Sequence, residues 1–213
     1  LAHQVCPYSL SQELCRWSDV VVADYNYYFD MSALLYSLTL VNDWRVTVLV
    51  DEAHNLIERG RKMYTAELDQ AAFNSMRRGA PKSLKRCLDR VARHWGQLHK
   101  DQEQAYQVYP LPPDLFIAAL QKAVSAITDH LTDQPTGNAA DLLNFYLDAM
   151  LFCRLAEAFG DHSLFDINRH GNLRGPSLST LCLRNIVPAP FLAERFATAH
   201  SSTLFSATLS PAH

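Results

Sequence analysis

The 213 residues hold no run of about 18 apolar side chains, so no segment is fit to cross a bilayer as a helix. Nothing near the start resembles a secretory leader. The five cysteines, at 6, 15, 87, 153 and 182, include no Cys-x-x-Cys, and no His/Cys cluster has zinc spacing. The odd count and wide scatter suit a reducing compartment. Each thiol and each of the nine dispersed imidazoles reads as structural or incidental on its own. None of the seven glycines is followed by lysine. A phosphate-binding Gly-Lys-Ser/Thr loop, whose amides and ammonium cradle phosphates, is therefore absent from the sequence. No internal repeat or low-complexity tract is present. The first residue is Leu1, not Met, which gives the expectation of a piece excised from a longer chain.

Hydrophobic residues make up 48%, enough for a packed core. The net charge of −3 argues against an overall basic nucleic-acid binder, but it conceals strong segregation. Residues 1–60 carry three Arg against eight acids, and residues 61–100 carry ten Lys/Arg against three acids. Residues 101–168 reverse the sign with two against ten, and residues 169–213 carry four against one. Such partition suggests an inserted module with one basic and one acidic part.

Two short β-branched runs, Val20-Val21-Val22-Ala23 and Val46-Thr47-Val48-Leu49-Val50, read as buried strands. Continuous apolar strands of this kind suggest a parallel sheet covered on both faces, with ligands at the carboxyl ends. From about 63 to 160 the periodicity turns helical. Leu84, Cys87, Leu88, Val91, Trp95 and Leu98 fall on one face of a helix over 82–100, with Lys82, Arg86, Arg90, Arg93 and Lys100 opposite. Further helices are expected over 115–131 and 142–153, the latter ended by Gly160. Strands are expected at 163–167, 178–183 and 202–205, a Gly/Asn/Pro-rich loop at 171–176, and a short helix at 190–199. An all-helical middle between two strand-bearing ends implies one α/β domain interrupted by an insertion.

The second strand runs straight into Asp51-Glu52-Ala53-His54. A hydrophobic strand followed by Asp-Glu is the Walker B arrangement. Its first carboxylate suits the Mg²⁺ of a nucleoside triphosphate, a cation that prefers hard oxygen ligands. The adjacent carboxylate can orient or deprotonate the attacking water. His54 would lie near the γ-phosphate.

Val48–Leu56 resembles motif II of the superfamily 2 DNA helicases of the XPD/DinG type, which carry an iron–sulfur cluster. Two more segments match in the expected order. Cys6-Pro7-Tyr8, followed by Ala23-Asp24-Tyr25-Asn26-Tyr27-Tyr28, is similar to the stretch where the last cluster cysteine leads back into the motor domain. Thr203–Pro211, containing Ser206-Ala207-Thr208, is similar to the segment around motif III. The bacterial YoaA-like branch is the nearest in appearance.

The resemblance implies an α/β fold: part of a P-loop helicase motor domain with a parallel sheet, interrupted by a mostly helical Arch-type insertion. Residues 1–62 would be motor domain with the end of the iron–sulfur region, 63–175 the Arch-like insertion, and 176–213 the return to the motor. The implied activity is ATP-dependent 5′→3′ helicase action on single-stranded or duplex DNA in repair or replication, in a cytoplasmic, nucleoid-associated protein. Asp51 would bind Mg²⁺ and Glu52 would activate water, while His54, Ser206 and Thr208 would couple nucleotide state to DNA. Cys6 would be one of four ligands of a 4Fe–4S cluster in the intact protein. The piece alone, without a phosphate loop and with a single matching thiolate, is expected to hold neither ATP nor iron and to be inactive.

Arg77, Arg78, Lys82, Arg86, Arg90 and Arg93 are candidates for tracking single-stranded DNA phosphates. The acidic stretch could instead fold back onto the basic helix, or the insertion could serve mainly to dock repair or replication proteins. A stand-alone metal-dependent hydrolase is disfavoured, since no further ligand cluster surrounds Asp51 and Glu52 in sequence.

Overall fold

In a computed structural model, which describes residues 6–136, 139–171 and 177–208, the chain divides into two compact units. The first comprises Leu1–Met63 with Pro188–His213, and the second Tyr64–Val187.

In the first unit, β1 (Thr47–Val50) pairs in parallel with β6 (Ser201–Leu204), with Val50 opposite Leu204. Helices α1 (Pro7–Cys15), α2 (Asn26–Phe29), α3 (Leu34–Val41), α4 (Leu56–Met63) and α9 (Ala189–Thr198) complete the unit. It is a mixed α/β arrangement with a parallel strand pair, as part of a helicase domain would have. The core is aromatic: Phe29 meets Tyr28 at 5.2 Å and Phe196 at 5.1 Å between centroids. Buried Arg195 lies 3.8 Å over the Tyr36 ring and donates to the Asp30 carbonyl. Helix α3 ends on a left-handed Asp43, whose N–H reaches Leu40 while that of Trp44 reaches Thr39, a double closure that satisfies the terminal carbonyls. Where α4 meets the start of α9, a Cβ on Gly60 would lie 2.9 Å from the Pro188 Cβ, so only glycine permits that approach.

Two expectations for this unit are overturned. The run Val20–Ala23 forms no strand, and Val20 and Val22 are 79% and 96% exposed. β-branched residues favour extended backbone, but a strand exists only where a neighbour takes its hydrogen bonds. Nor is the parallel pair covered on both faces. In β1 Val48 and Val50 are buried while Thr47 and Leu49 are exposed, and every residue of β6 is exposed.

The second unit is built on an antiparallel sheet of β2 (Ala66–Asp69), β3 (Tyr106–Tyr109), β4 (Ser163–His170) and β5 (Leu178–Asn185), in the order β2-β5-β4-β3. Helices α5 (Gln70–Gly79) and α8 (Ala140–Glu157) pack on it, and α6 (Lys85–Asp101) and α7 (Asp114–Asp133) pack in turn on these helices and on each other. The register sets Ala66 and Phe165 opposite Leu183, and Leu68 and Ile167 opposite Leu181. All six are buried, as the two-residue period of strands requires of one face. Asp166 and Arg184 pair at 3.0 Å on the other face. Trp95 is fully buried, 5.5 Å from both Phe73 and Phe116, and its indole N–H donates to Ser179 Oγ at 2.8 Å. Asp69 caps α5 by accepting from the Ala72 N–H.

The middle of the chain is therefore not all-helical. Strands β2 and β3 span four residues each, too few for their alternation to stand out against the helical texture around them. Helix α8 ends at Glu157, short of Gly160. The expected return at residue 176 also moves. β5 pairs with β4 and β2, so it belongs to the second unit, which ends at Val187. Most of the loop at 171–176, the end of the turn at 134–138, and Leu209–Pro211 lie outside the described residues.

Burial sorts the thiols. Cys153 and Cys182 are buried, and desolvation pushes each up to about 12. Cys6 is exposed, and backbone N–H groups of Ser9 and Tyr8 hold it below the ordinary thiol value. With a disulfide reagent at pH 8, Cys6 is expected to react fast. Cys153 and Cys182, ionised to about one part in ten thousand, are expected to react only after denaturant unfolds the chain. Peptide mapping of the labelled thiols checks the order.

Candidate functional site

Parallel pairing places the carboxyl ends of β1 and β6 side by side. The Phe205 N–H donates to the Val50 carbonyl at 3.0 Å, and the Ala53 N–H donates to the Phe205 carbonyl at 3.0 Å. Between these bonds the chain leaves β1 through Asp51 and Glu52. Glu52 adopts φ 48°, ψ 43°, a left-handed conformation that costs a non-glycine residue about 1 kcal/mol. Local bonds hold it there. The Glu52 N–H donates to Asp51 Oδ1 at 2.7 Å, and the Asn55 N–H donates to the Glu52 carbonyl at 2.9 Å, opening the turn that leads into α4.

The turn aims Glu52 and His54 at Ser206 and Thr208. Ser206 Oγ donates to Glu52 Oε2 at 2.8 Å and lies 2.7 Å from His54 Nδ1. A hydroxyl has one proton, so once it donates to the carboxylate, the imidazole must donate to the hydroxyl. Counting donors and acceptors thus assigns the Nδ1–H tautomer to neutral His54. His54 Nδ1 also lies 3.2 Å from Glu52 Oε2 and 3.3 Å from Thr208 Oγ1, and the Thr208 N–H donates to Ser206 Oγ at 3.3 Å. The side chains of His54 and Glu52 are 41% and 52% exposed, so each bond adds only about 0.5–1 kcal/mol. The cluster orients groups more than it stabilises the fold.

Asp51 stands beside this cluster. Its Oδ1 accepts the Glu52 N–H, and its Oδ2 has no hydrogen bond among the described residues. An exposed carboxylate with a free hard oxygen fits a Mg²⁺ ion, directly or through water. Glu52 Oε1 has no hydrogen bond among the described residues, so the pair offers one oxygen toward a cation and one toward a water. The thiols do not fit an iron–sulfur cluster. Cys6 supplies a single exposed thiol at the start of α1, and among the described residues no group of three His, Cys, Asp or Glu could hold a metal.

Three residues of the site are not singled out by sequence. The Tyr25 hydroxyl donates to the Asp51 carbonyl. Arg59 lies 5.1 Å over the Tyr25 ring and donates to both oxygens of Asp24, at 3.0 and 3.2 Å. Burial and the negative charges of Asp51, Glu52 and Asp24 push the phenol up, opposed by Arg59. Only the Asp24-Tyr25 segment carried a signal, through the family-like stretch 23–28. Arg59 carried none, since its partners are set by the turn.

The basic residues lie in the second unit. Lys82, Arg86 and Arg93 are exposed along α6 and the turn before it, and Arg78 is exposed near the end of α5. Arg90 is half-buried near Cys87, whose thiol burial pushes up, an effect that Arg90 offsets only in part. Arg77 pairs with Asp89 at 3.4 Å and sits 5.9 Å over Phe73, so it is the least free of the set. Helix α7, from the acidic stretch, does fold back onto α6, but through apolar groups such as Trp95 and Phe116, and among the described residues no ion pair joins the two. Among the described residues the ion pair from 101–168 is Asp166 with Arg184, while Asp89 of α6 pairs with Arg77 of α5. Trp95, buried, offers no ring for stacking on bases.

Residues 1–73 match the family model described as DEAD_2. No curated protein matches the sequence. The matched stretch is a DEAD/DEAH-type helicase-related region, and it contains the Asp-Glu-Ala-His turn together with Tyr25 and Arg59. No helix among the described residues is long and apolar enough to cross a membrane.

Long-range ¹H–¹⁵N correlation of the imidazoles is expected to show neutral His54 protonated at Nδ1. The double variant Ser206→Ala/Glu52→Gln should move the proton to Nε2 and lower stability by no more than about 2 kcal/mol. A wild-type ring protonated at Nε2 contradicts the bonding scheme.

Proposed function

We propose that this chain is the part of an ATP-dependent DNA helicase in which the metal-binding carboxylate, the water-orienting carboxylate and their serine–threonine relay come together. The observation that carries the reading is the junction of Glu52, His54 and Ser206, at 2.7–3.2 Å, across two parallel strand ends, the first of them within the helicase-related stretch 1–73. The reading resembles the XPD/DinG type, with 5′→3′ action in repair or replication and the second unit as the Arch-type insertion.

In this reading Asp51 anchors Mg²⁺ of a nucleotide held by a phosphate-binding loop elsewhere in the intact protein. Bound Mg²⁺ neutralises charge developing on the β- and γ-phosphates. Glu52 orients the attacking water and accepts its proton. Ser206 fixes the rotamer of Glu52, because its hydroxyl proton is committed to Oε2. His54 and Thr208 bond the same hydroxyl, so a shift of β6 disturbs the carboxylate and a change at the carboxylate is felt along β6. That reciprocity links nucleotide state to a strand end. Hydrolysis in this reading belongs to the intact protein, with its phosphate-binding loop.

Lys82, Arg86, Arg93 and Arg78 are free to meet the phosphates of single-stranded DNA, with Arg90 and Arg77 contributing less. Contact there is electrostatic, since the local aromatic rings are buried.

In the protein that carries the phosphate loop, Asp51→Asn and Glu52→Gln are each expected to lower Mg²⁺-dependent ATP hydrolysis by about a hundredfold or more. Glu52→Gln should leave nucleotide affinity near wild type. Hydrolysis within tenfold of wild type in Asp51→Asn sinks the reading. Reversing Arg86 and Arg93 to Glu should weaken single-strand binding and reduce the slope of log affinity against log salt by about 1.4, or roughly 0.7 for each lost contact. Unchanged DNA binding with loss of a protein partner would assign the basic face to docking.

A further inference from the structure

Both groups of one peptide unit, the link between Asp51 and Glu52, are held by side chains. Its carbonyl accepts from the Tyr25 hydroxyl, and its N–H donates to Asp51 Oδ1 at 2.7 Å. Rotation of this peptide is the motion that would release Glu52 from its left-handed conformation, because it changes ψ of residue 51 and φ of residue 52 together. Such a release would be downhill for the isolated backbone, since Glu52 sits at φ 48°. A donor on the carbonyl side opposes it.

That donor is itself braced. Asp24 Oδ1 accepts the Asn26 N–H at 3.2 Å, which fixes the start of α2 beside Tyr25. Arg59 binds both Asp24 oxygens and covers the Tyr25 ring. Arg59 belongs to α4, the helix that the Asp-Glu turn leads into. The brace thus closes a ring through side chains from Asp51 to Tyr25 to Arg59, and back along the chain through His54. It restrains the turn from both its ends.

Resting on the reading of the site given above, we infer that Tyr25 is a positioning residue, with Arg59 and Asp24 as its support, that holds the 51–52 peptide in the orientation Glu52 needs to act on water. Tyr25 touches neither carboxylate oxygen, so its effect passes through the backbone.

Tyr25→Phe removes the hydroxyl and keeps the ring under Arg59. In the protein that carries the phosphate loop, hydrogen exchange at the Glu52 and Ala53 amides is expected to quicken about fivefold, the value of one lost hydrogen bond of about 1 kcal/mol. The kcat for ATP should fall about tenfold with KM for ATP unchanged. Arg59→Lys, which keeps the pairing with Asp24 but not the flat cover over the ring, should fall between wild type and Arg59→Ala in both measures. Unchanged exchange at Glu52 and Ala53 in Tyr25→Phe overturns the inference, and so does faster exchange with unchanged kcat. A rise in KM at constant kcat also overturns it, since that marks Tyr25 as a binding group. Loss of the reading itself is separate: it shows as a wild-type rate in Asp51→Asn.

Discussion

The register of one parallel strand pair decides what this molecule can do. With Val50 set opposite Leu204, the residues leaving β1 and those leaving β6 emerge at the same height. A slip of two residues would displace Ser206 by about 6–7 Å along the strand and separate it from Glu52. A slip of one would turn Val48 and Val50 out of the core. Burial of two valines thus fixes a contact between polar groups that burial does not itself reward. The hydroxyl sits 154 residues from the carboxylate it bonds, with the whole second unit between them in sequence.

The turn after β1 shows the complementary constraint. A left-handed glutamate is unfavourable locally, and glycine would be the easier residue. The chain keeps a carboxylate there and compensates with bonds on every side of it: to the Asp51 side chain, to the Phe205 carbonyl, into the start of α4, and from Tyr25. None of these groups is deeply buried, so each contributes little to stability. Together they remove freedom from a side chain whose usefulness lies in pointing one way.

What could be read from sequence follows the range of the forces involved. The carboxylate turn was legible because strand, turn and charge lie within nine residues. The long helices were legible because Leu84, Leu88, Val91 and Trp95 repeat with the helical period and all become buried. The Ser206 contact was legible only through the family-like segment, since no local signal links residues so far apart. The strands at 66–69 and 106–109 were hidden because pairing with β5 and β4, not their own composition, makes them strands. The run at 20–22 misled for the same reason in reverse: its composition favours a strand that no described neighbour completes. The end of the second unit was misplaced because β5 is covalently followed by the first unit but hydrogen-bonded to the second. Arg59 looked like an ordinary helical charge, and its role depends on where Tyr25 lies after folding.

The central claim is that the acidic pair ending β1 faces a metal-bound nucleotide. Its most direct test replaces Mg²⁺ by paramagnetic Mn²⁺ in the nucleotide-bound intact protein and follows amide resonances. Relaxation centred on residues 51–54 and 206, with the buried strands of the antiparallel sheet unaffected, is the result the account predicts. Broadening centred elsewhere, with the amides of Asp51 and Glu52 sharp, would contradict it.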